Sequence, residues 1–443
     1  MRAFPMALIA TVLIFPGARA AELPAVVQKP AVDVYAQPAF DAPKVTTLSR
    51  DTAVTISAQQ GLWYQLQMPT GTPGYVRVND VRINQPGTGG GDANLRVLMG
   101  GKAGQGRVTE TAGVRGIDES DLKSAAFDQA RLSAMLGYRV DASKAAAYAS
   151  EEGWQATQVA YAGEAKRGKS GGKPAQDSAP STAASARAVS GMLGSLGGEM
   201  SSMFSAAAKV APKGEDELAA EELALGPEIT GRILGARPLW DEALAQWRVN
   251  LVGQWVASQT SRPQLPWTFG VIDTPEVNAF AAPGGYILVT RGLYELLSSD
   301  SELAAVLGHE ISHCVQRDHY NVIRKQELAT AGKDRALRGV DAGYDSVAGT
   351  YARRYAEEHG ATIMLTALDR EAEYRADEGA QVYLARAGLN PLALYSVLQK
   401  FLALGRDAPG LAQLYKTHPP FDARIDRIDQ RGYGALEPYT TRE

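Results

Sequence analysis

The first part of the chain alternates apolar with polar residues over short runs, a pattern that predicts half-buried β-strands. Turn residues such as Pro38, Gly61 and Pro73 separate the runs. Runs of this kind lie at 32–35, 44–48, 53–57, 63–67 and 75–78. Five short strands within about fifty residues predict a small all-β barrel.

Farther along, the apolar residues change to helical spacing. Residues 95–162 predict a small helical unit with no visible chemistry. Residues 163–185 are rich in Gly, Ser, Ala, Lys and Pro, and they carry too little apolar surface to offset the entropy of ordering, so we expect a disordered linker there. From Val189 to Phe204 apolar residues recur every three or four positions, which predicts a helix that packs against the next domain.

The first twenty residues are typical of a secretory signal peptide. Arg2 supplies a positive start, Met6 to Phe15 is an apolar run, and Ala18-Arg19-Ala20 is a small-residue cleavage site. The run is too short to span a bilayer, which needs about 20 apolar residues. No later stretch reaches that length. We therefore expect cleavage after Ala20 and a soluble, exported chain, most simply in the periplasm.

Composition excludes some classes of protein. Hydrophobic residues make up 45% and charged residues 21%, which is ordinary for a globular protein of 443 residues. The 45 Lys and Arg against 49 Asp and Glu leave a formal net charge of −4, which argues against a nucleic-acid partner. One cysteine excludes an intrachain disulfide.

The residue pattern with the clearest chemistry is His309-Glu310-x-x-His313, within an apolar segment of helical spacing. Residues four apart lie on one face of a helix, so both imidazoles can bind one zinc ion. Glu310 lies beside them and can take a proton from a water molecule that the zinc activates. The sequence therefore predicts a zinc hydrolase with one zinc ion per chain.

A catalytic zinc site needs a third protein ligand, for which there are two candidates. His319 follows His313 by six residues, as in the longer HExxHxxGxxH motif, but Gln316 stands where that motif has its glycine. Glu373 lies in a segment of good helix formers, and Asp377 shares its helix face. There the glutamate can bind zinc while the aspartate accepts a hydrogen bond from a ligand imidazole.

Four blocks of sequence resemble the zinc metallopeptidase family that includes the HtpX, CAAX prenyl protease and BepA types. The blocks are Asn278-Ala-Phe-Ala-Ala-Pro283-Gly284-Gly285-Tyr286-Ile-Leu-Val289, His309-Glu310-x-x-His313, Glu373-x-x-Ala376-Asp377, and Thr417-His418-Pro419-Pro420 with Arg424-Ile425. The resemblance implies a mainly α (α+β) zincin-type metallopeptidase domain, which we place at 186–435. It also implies that Glu373 is the third ligand and that Asp377 supports a ligand imidazole. The absence of membrane spans and of an evident tetratricopeptide tail departs from some family members, as does Arg317-Asp318-His319 in place of adjacent Arg and His.

The remaining residues of these blocks receive roles in catalysis and in substrate binding. His418 is expected to cover the open zinc position or to stabilise an oxyanion, and Arg424 to do the latter. The strand before the motif helix is expected to bind an extended peptide along its edge, unless it is an internal strand. The residues assigned to substrate binding are Asn278, Ala279, Phe280, Ala281, Pro283 and Gly284.

The N-terminal runs also resemble a known module. Val34-Tyr35-x-x-Pro38, Gly61-Leu-Trp-Tyr64 and Gly74-Tyr-Val-Arg77 are similar to a bacterial SH3-like domain, here spanning 24–85. Such a domain implies contact with cell wall or envelope proteins. We expect a metalloendopeptidase that hydrolyses unfolded or extended envelope proteins in protein quality control. The alternative is a non-catalytic binding factor with a latent zinc site.

Overall fold

The computed structural model of the protein describes residues 22–84, 97–98, 119–163, 215–331, 344–359, 361–406 and 408–442. The predicted signal peptide, the predicted helix from Val189 to Phe204 and all but the first residue of the predicted linker lie outside these ranges. In the described residues, none of the helices has the length and apolar character needed to cross a membrane.

The N-terminal part is a seven-stranded antiparallel sheet. Its strands are β1 (Leu23–Val27), β2 (Ala31–Tyr35), β3 (Lys44–Ser49), β4 (Ala53–Gln60), β5 (Trp63–Leu66), β6 (Gly74–Arg77) and β7 (Val81–Ile83). Along the sheet the order is β3-β2-β6-β5-β4-β1-β7. An all-β N-terminal domain is therefore confirmed.

The sheet differs from the predicted five-stranded barrel in two respects. Strands β1 and β7 were not predicted, because Pro24 is unfavourable inside a strand and β7 has only three residues. Strands β3 and β7 stand at opposite ends of the strand order. In the described residues the sheet is therefore open rather than a closed barrel.

The C-terminal part is mainly helical with a small sheet, which confirms the predicted α+β class. Its helices, with three preceding helices, are α1 (Glu119–Ser124), α2 (Gln129–Gly137), α3 (Ala142–Glu151), α4 (Glu215–Ala236), α5 (Ala243–Ser258), α6 (Arg291–Leu296), α7 (Asp300–Gln316), α8 (Asp318–Ala331), α9 (Tyr344–His359), α10 (Arg370–Arg386), α11 (Leu392–Leu404), α12 (Ala412–Thr417) and α13 (Phe421–Arg431). Short 3₁₀ turns span Thr362–Leu365, Pro409–Leu411 and Gly434–Tyr439. Strands β8 (Thr268–Ile272), β9 (Ala279–Ala282) and β10 (Tyr286–Thr290) form the sheet. Strand β10 lies in the middle, parallel to β8 and antiparallel to β9.

Helices α1 to α3 belong to the predicted small helical unit and share the hydrophobic cores of the C-terminal part. Leu122 of α1 and Met135 of α2 lie in one buried cluster with Phe280 of β9 and Leu288 of β10. Val159, which follows α3, lies in the buried cluster that contains most of α7. These helices therefore pack as a layer of the C-terminal part.

The β-domain docks on helices α11 and α13. Gln399 of α11 binds the free edge of β7, where its Oε1 accepts a hydrogen bond from the backbone N–H of Ile83 at 3.1 Å. Arg82 of β7 forms ion pairs with Asp426 and, at 2.5 Å, with Asp429 on α13. Nearby, an Arg77 guanidinium N–H donates to the carbonyl of Thr440 at 2.7 Å. Polar contacts therefore fix the orientation of the docked β-domain.

Candidate metal centre

Helix α7 carries the His309-Glu310-x-x-His313 motif through the middle of the C-terminal part. It begins after Ser299, whose hydroxyl accepts a hydrogen bond from the N–H of Glu302, and its residues from Glu302 to Gln316 are buried. The two imidazoles point the same way, and their Nε2 atoms lie 3.2 Å apart. Both imidazoles can therefore bind a single ion.

Helix α10 brings a carboxylate to these imidazoles. Asp369 caps its first turn by accepting from the N–H of Ala372 at 2.7 Å. The helix packs closely on α7 because Gly379 has no side chain: a Cβ there would lie 2.4 Å from Oγ of Ser312. This close approach places Glu373, in the first turn of α10, beside the motif.

Four side chains converge at this point. The carboxylate oxygens of Glu373 lie 3.6 Å from Nε2 of His309 and 3.7 Å from Nε2 of His313. Nε2 of His418, at the end of α12, lies 3.6 Å from Oε2 of Glu373. One potential ligand atom from each of the four residues falls within 4.8 Å of all the others.

The chemistry of this cluster fits a zinc ion. Glu373 is 1% exposed, and its Oε2 has no hydrogen-bond partner among the described residues. An ionised oxygen left unpaired in the interior is costly, and a cation would remove that cost. Two imidazole nitrogens and one carboxylate are also a ligand set of catalytic zinc sites.

Two aspartates lie behind the imidazoles. Oδ1 of Asp377 is 3.0 Å from Nδ1 of His309, and Oδ2 of Asp318 is 2.9 Å from Nδ1 of His313. A carboxylate that accepts from Nδ1–H leaves Nε2 free as a ligand atom. Asp377 was predicted for this role, whereas Asp318 was not.

Part of the chain matches a known peptidase family. Residues 243–432 match the model of peptidase family M48. The chain contains a peptidase family M48 domain. The match bears out the resemblance found from the four sequence blocks.

Three relatives of the M48 domain illustrate the range of the family. The beta-barrel assembly-enhancing protease of Escherichia coli K12 is 28% identical over 214 residues, covering 46% of this chain and 42% of the relative. The mitochondrial metalloendopeptidase OMA1 of Arabidopsis thaliana is 33% identical over 166 residues, 38% of this chain and 32% of the relative. A protease HtpX homolog of Pyrococcus abyssi is 33% identical over 196 residues, 36% of this chain and 65% of the relative. The chain thus spans less than half the length of the first of these relatives.

Arg424 of the M48 domain lies behind the cluster. Its guanidinium pairs with both carboxylate oxygens of Asp377, one of them at 2.9 Å from Nε. Its Nη2 also lies 3.3 Å from Nδ1 of His309. Arg424 is 4% exposed, and in this arrangement it holds Asp377.

Burial and charge set the protonation of the cluster in the M48 domain. Burial raises the pKa of Glu310, and the neighbouring histidines offset only part of this increase. Burial lowers the pKa of His418 to about 3, so its imidazole is neutral and able to bind a metal ion. For His309, burial and Arg424 lower the pKa, but the nearby carboxylates of Asp377 and Glu373 prevail and raise it to about 9.

His319 remains outside the cluster. Helix α7 does end after Gln316, although no glycine is present, because Arg317 adopts a left-handed conformation with φ of 59°. The His319 ring is 6.0 Å from the ring of His313, and burial lowers the pKa of His319 to about 4. Among the described residues the candidate metal cluster contains Glu373 and His418 instead.

Strand β9, which holds Ala279, Phe280 and Ala281 of the six residues assigned to substrate binding, is an edge strand. It pairs with β10 on one side only among the described strands. Residues Asn278–Ala282 are buried, at most 8% exposed with backbone and side chain counted together. Gly284 and Gly285, with φ of 75° and 92°, form the tight turn that leads from β9 to β10.

Proposed function

We propose that this chain is an exported zinc metalloendopeptidase that hydrolyses unfolded or extended segments of envelope proteins. The observation that carries the proposal is the convergence of His309, His313 and Glu373 beside the buried Glu310. The match to peptidase family M48 supports peptide-bond hydrolysis. The signal-peptide pattern at 1–20 supports export to the periplasm, and the E. coli relative, named a beta-barrel assembly-enhancing protease, supports an action on envelope proteins in quality control.

His309, His313 and Glu373 would hold one zinc ion. When bound, zinc supplies Lewis-acid chemistry, lowering the pKa of water and polarising the scissile carbonyl. Asp377 and Asp318 orient the two imidazoles by accepting from Nδ1–H. Arg424 neutralises and holds Asp377, which makes it a positioning residue in the proposed site.

Glu310 is the proposed general base. Burial raises the pKa of its carboxyl group in the direction of neutral pH. A base whose pKa lies near the working pH accepts a proton readily and also gives it back. Glu310 takes a proton from the attacking water and passes it to the leaving amine. Glu310 need not bind the metal, so the protein can lose this carboxylate and still hold zinc.

The proposed substrate is an extended peptide laid along β9. The support for this proposal is the edge position of β9 among the described strands, and the residues proposed to bind the peptide are Asn278, Ala279, Phe280 and Ala281 with Pro283 and Gly284 of the turn. Backbone pairing accepts many side chains. A site of this kind therefore suits unfolded substrates of varied sequence.

The proposal is tested by measuring bound zinc and casein hydrolysis together. Glu310→Gln should retain about one zinc per chain while proteolysis falls by about 10²- to 10⁴-fold, the contribution of a general base. Glu371→Gln, an exposed carboxylate near the start of α10, is the matched control and should match the wild type. Retained proteolysis in Glu310→Gln would refute the mechanism.

One observation favours a second candidate, a non-catalytic binding factor with a latent zinc site. His418 lies within ligand distance of the cluster, and a fourth protein ligand closes a zinc site as in structural centres. In that case the SH3-like domain would hold the chain on cell wall or envelope proteins. This candidate would be favoured if the wild-type chain and His418→Ala both bind zinc and neither hydrolyses casein.

A further inference from the structure

A three-residue ion cluster around a buried carboxylate lies at the end of the motif helix, apart from the four residues of the metal cluster. Glu222 of α4 is fully buried. Nη1 and Nη2 of Arg262 donate hydrogen bonds to the two carboxylate oxygens of Glu222, at 2.7 Å and 2.8 Å. Arg317 donates from Nε to Oε2 at 2.7 Å. One carboxylate thus holds two guanidinium groups that reach it from different parts of the chain.

Both arginines act on the end of α7. Arg317 caps the helix in the left-handed region, which is unfavourable for a residue with a side chain. Arg262 donates to the carbonyl of Cys314 at 2.9 Å. The bond from Arg317 to Glu222 offsets the cost of the left-handed turn and thereby fixes where the chain goes next.

The next residue after the turn is Asp318, whose carboxylate faces Nδ1 of His313. If the turn relaxed, Asp318 would move away from the imidazole, and the tautomer with a free Nε2 would lose its support. We propose that Glu222 is a positioning residue for the metal centre, acting through Arg317 and Arg262 to hold Asp318 on His313. This inference rests on the proposed function, in which His313 binds zinc.

The test compares Glu222→Gln with Glu221→Gln in the full chain. Glu221 is the matched control, because it is the preceding residue, is also buried, and accepts from the hydroxyl of Tyr320 at 3.1 Å instead. The dissociation constant for zinc is measured by competition with a chelator, and thermal unfolding is followed with and without zinc. Glu222→Gln should weaken zinc binding about 10-fold or more, within the range for residues that support metal ligands. Glu221→Gln should leave zinc binding within about twofold of the wild type.

The two unfolding scans separate positioning from simple stability. A purely structural role would lower both midpoints equally and leave the zinc affinity unchanged, which would overturn the inference. Arg317→Gly keeps the left-handed turn but removes the ion pair, so it should weaken zinc binding even if Glu222→Gln does not fold. An unchanged zinc affinity in Arg317→Gly would also overturn it. Absence of zinc binding in the wild type would refute the proposed function itself.

Discussion

Glu373 and His319 both lie near His313, but only Glu373 directs ligand atoms toward the two Nε2 nitrogens. Glu373→Ala should therefore weaken zinc binding strongly, because a three-ligand site becomes a two-ligand site. His319→Ala should leave the zinc affinity nearly unchanged. Zinc titration of the two variants makes the comparison, and the reverse result would assign the third ligand to His319.

His418 stands at the fourth position of the cluster with a neutral imidazole. Pro419 and Pro420 prevent helix α12 from continuing and fix the backbone beside it. We expect His418→Ala to raise basal casein hydrolysis with zinc content maintained, because the open position would be freed for water.

The opposite result has a distinct meaning. A fall in turnover of about 10²- to 10³-fold, with zinc retained, would show that His418 stabilises the oxyanion. A variant that matches the wild type in both zinc content and rate would refute both roles.

Much of the candidate site could be predicted from the sequence because it depends on helical spacing. His309 with His313 and Glu373 with Asp377 are pairs four residues apart, and each pair lies on one helix face. Asp318 could not be predicted in this way. It reaches His313 through a left-handed turn at Arg317. A left-handed conformation is uncommon for a residue other than glycine, so no local sequence pattern predicts it.

At the scale of elements, a buried ion pair fastens the motif helix to α11. Nζ of Lys400 lies 2.6 Å from Oε2 of Glu302, and both side chains are at most 1% exposed. Lys400→Met should reduce the free energy of unfolding by about 3–5 kcal/mol, because it leaves a buried carboxylate unpaired. Urea denaturation followed by circular dichroism measures this change.

A double variant checks the cause. Adding Glu302→Gln to Lys400→Met should recover most of the lost stability, since no unpaired charge then remains. Lys416→Met, at an exposed position, is the control for the loss of a lysine. If the single and double variants are equally unstable, loss of packing rather than charge explains the effect.

The elements themselves were predictable to different degrees. The apolar-polar pattern identified β2 to β6, although β3 is largely exposed, whereas β7 is too short to show a pattern. The packing of α1 to α3 into the C-terminal part was not predictable. It depends on contacts such as Leu122 with residues of β9 and β10, far away in sequence.

At the scale of the whole molecule, the composition of residues 163–185 predicts that a protease cuts there first. The two pieces should nevertheless stay together, because Arg82, Gln399 and the shared cores join parts on both sides of the cut. We expect the nicked protein to elute as one species with its zinc and to separate in denaturant. Size-exclusion chromatography after limited trypsin treatment measures this. Earlier cleavage within residues 243–432 would contradict the predicted boundary.

The contact between Arg77 and Thr440 also has a consequence for how the chain is made. The two residues are 363 positions apart, so at a synthesis rate of about 5–20 residues per second the carbonyl emerges roughly 20–70 s after the guanidinium. For most of that interval the surface of the β-domain that receives α11 and α13 has no partner, because these helices are also made late. A chain that ends before Thr440 lacks the carbonyl that accepts from Arg77, so a late truncation removes one of the contacts that orient the docked β-domain.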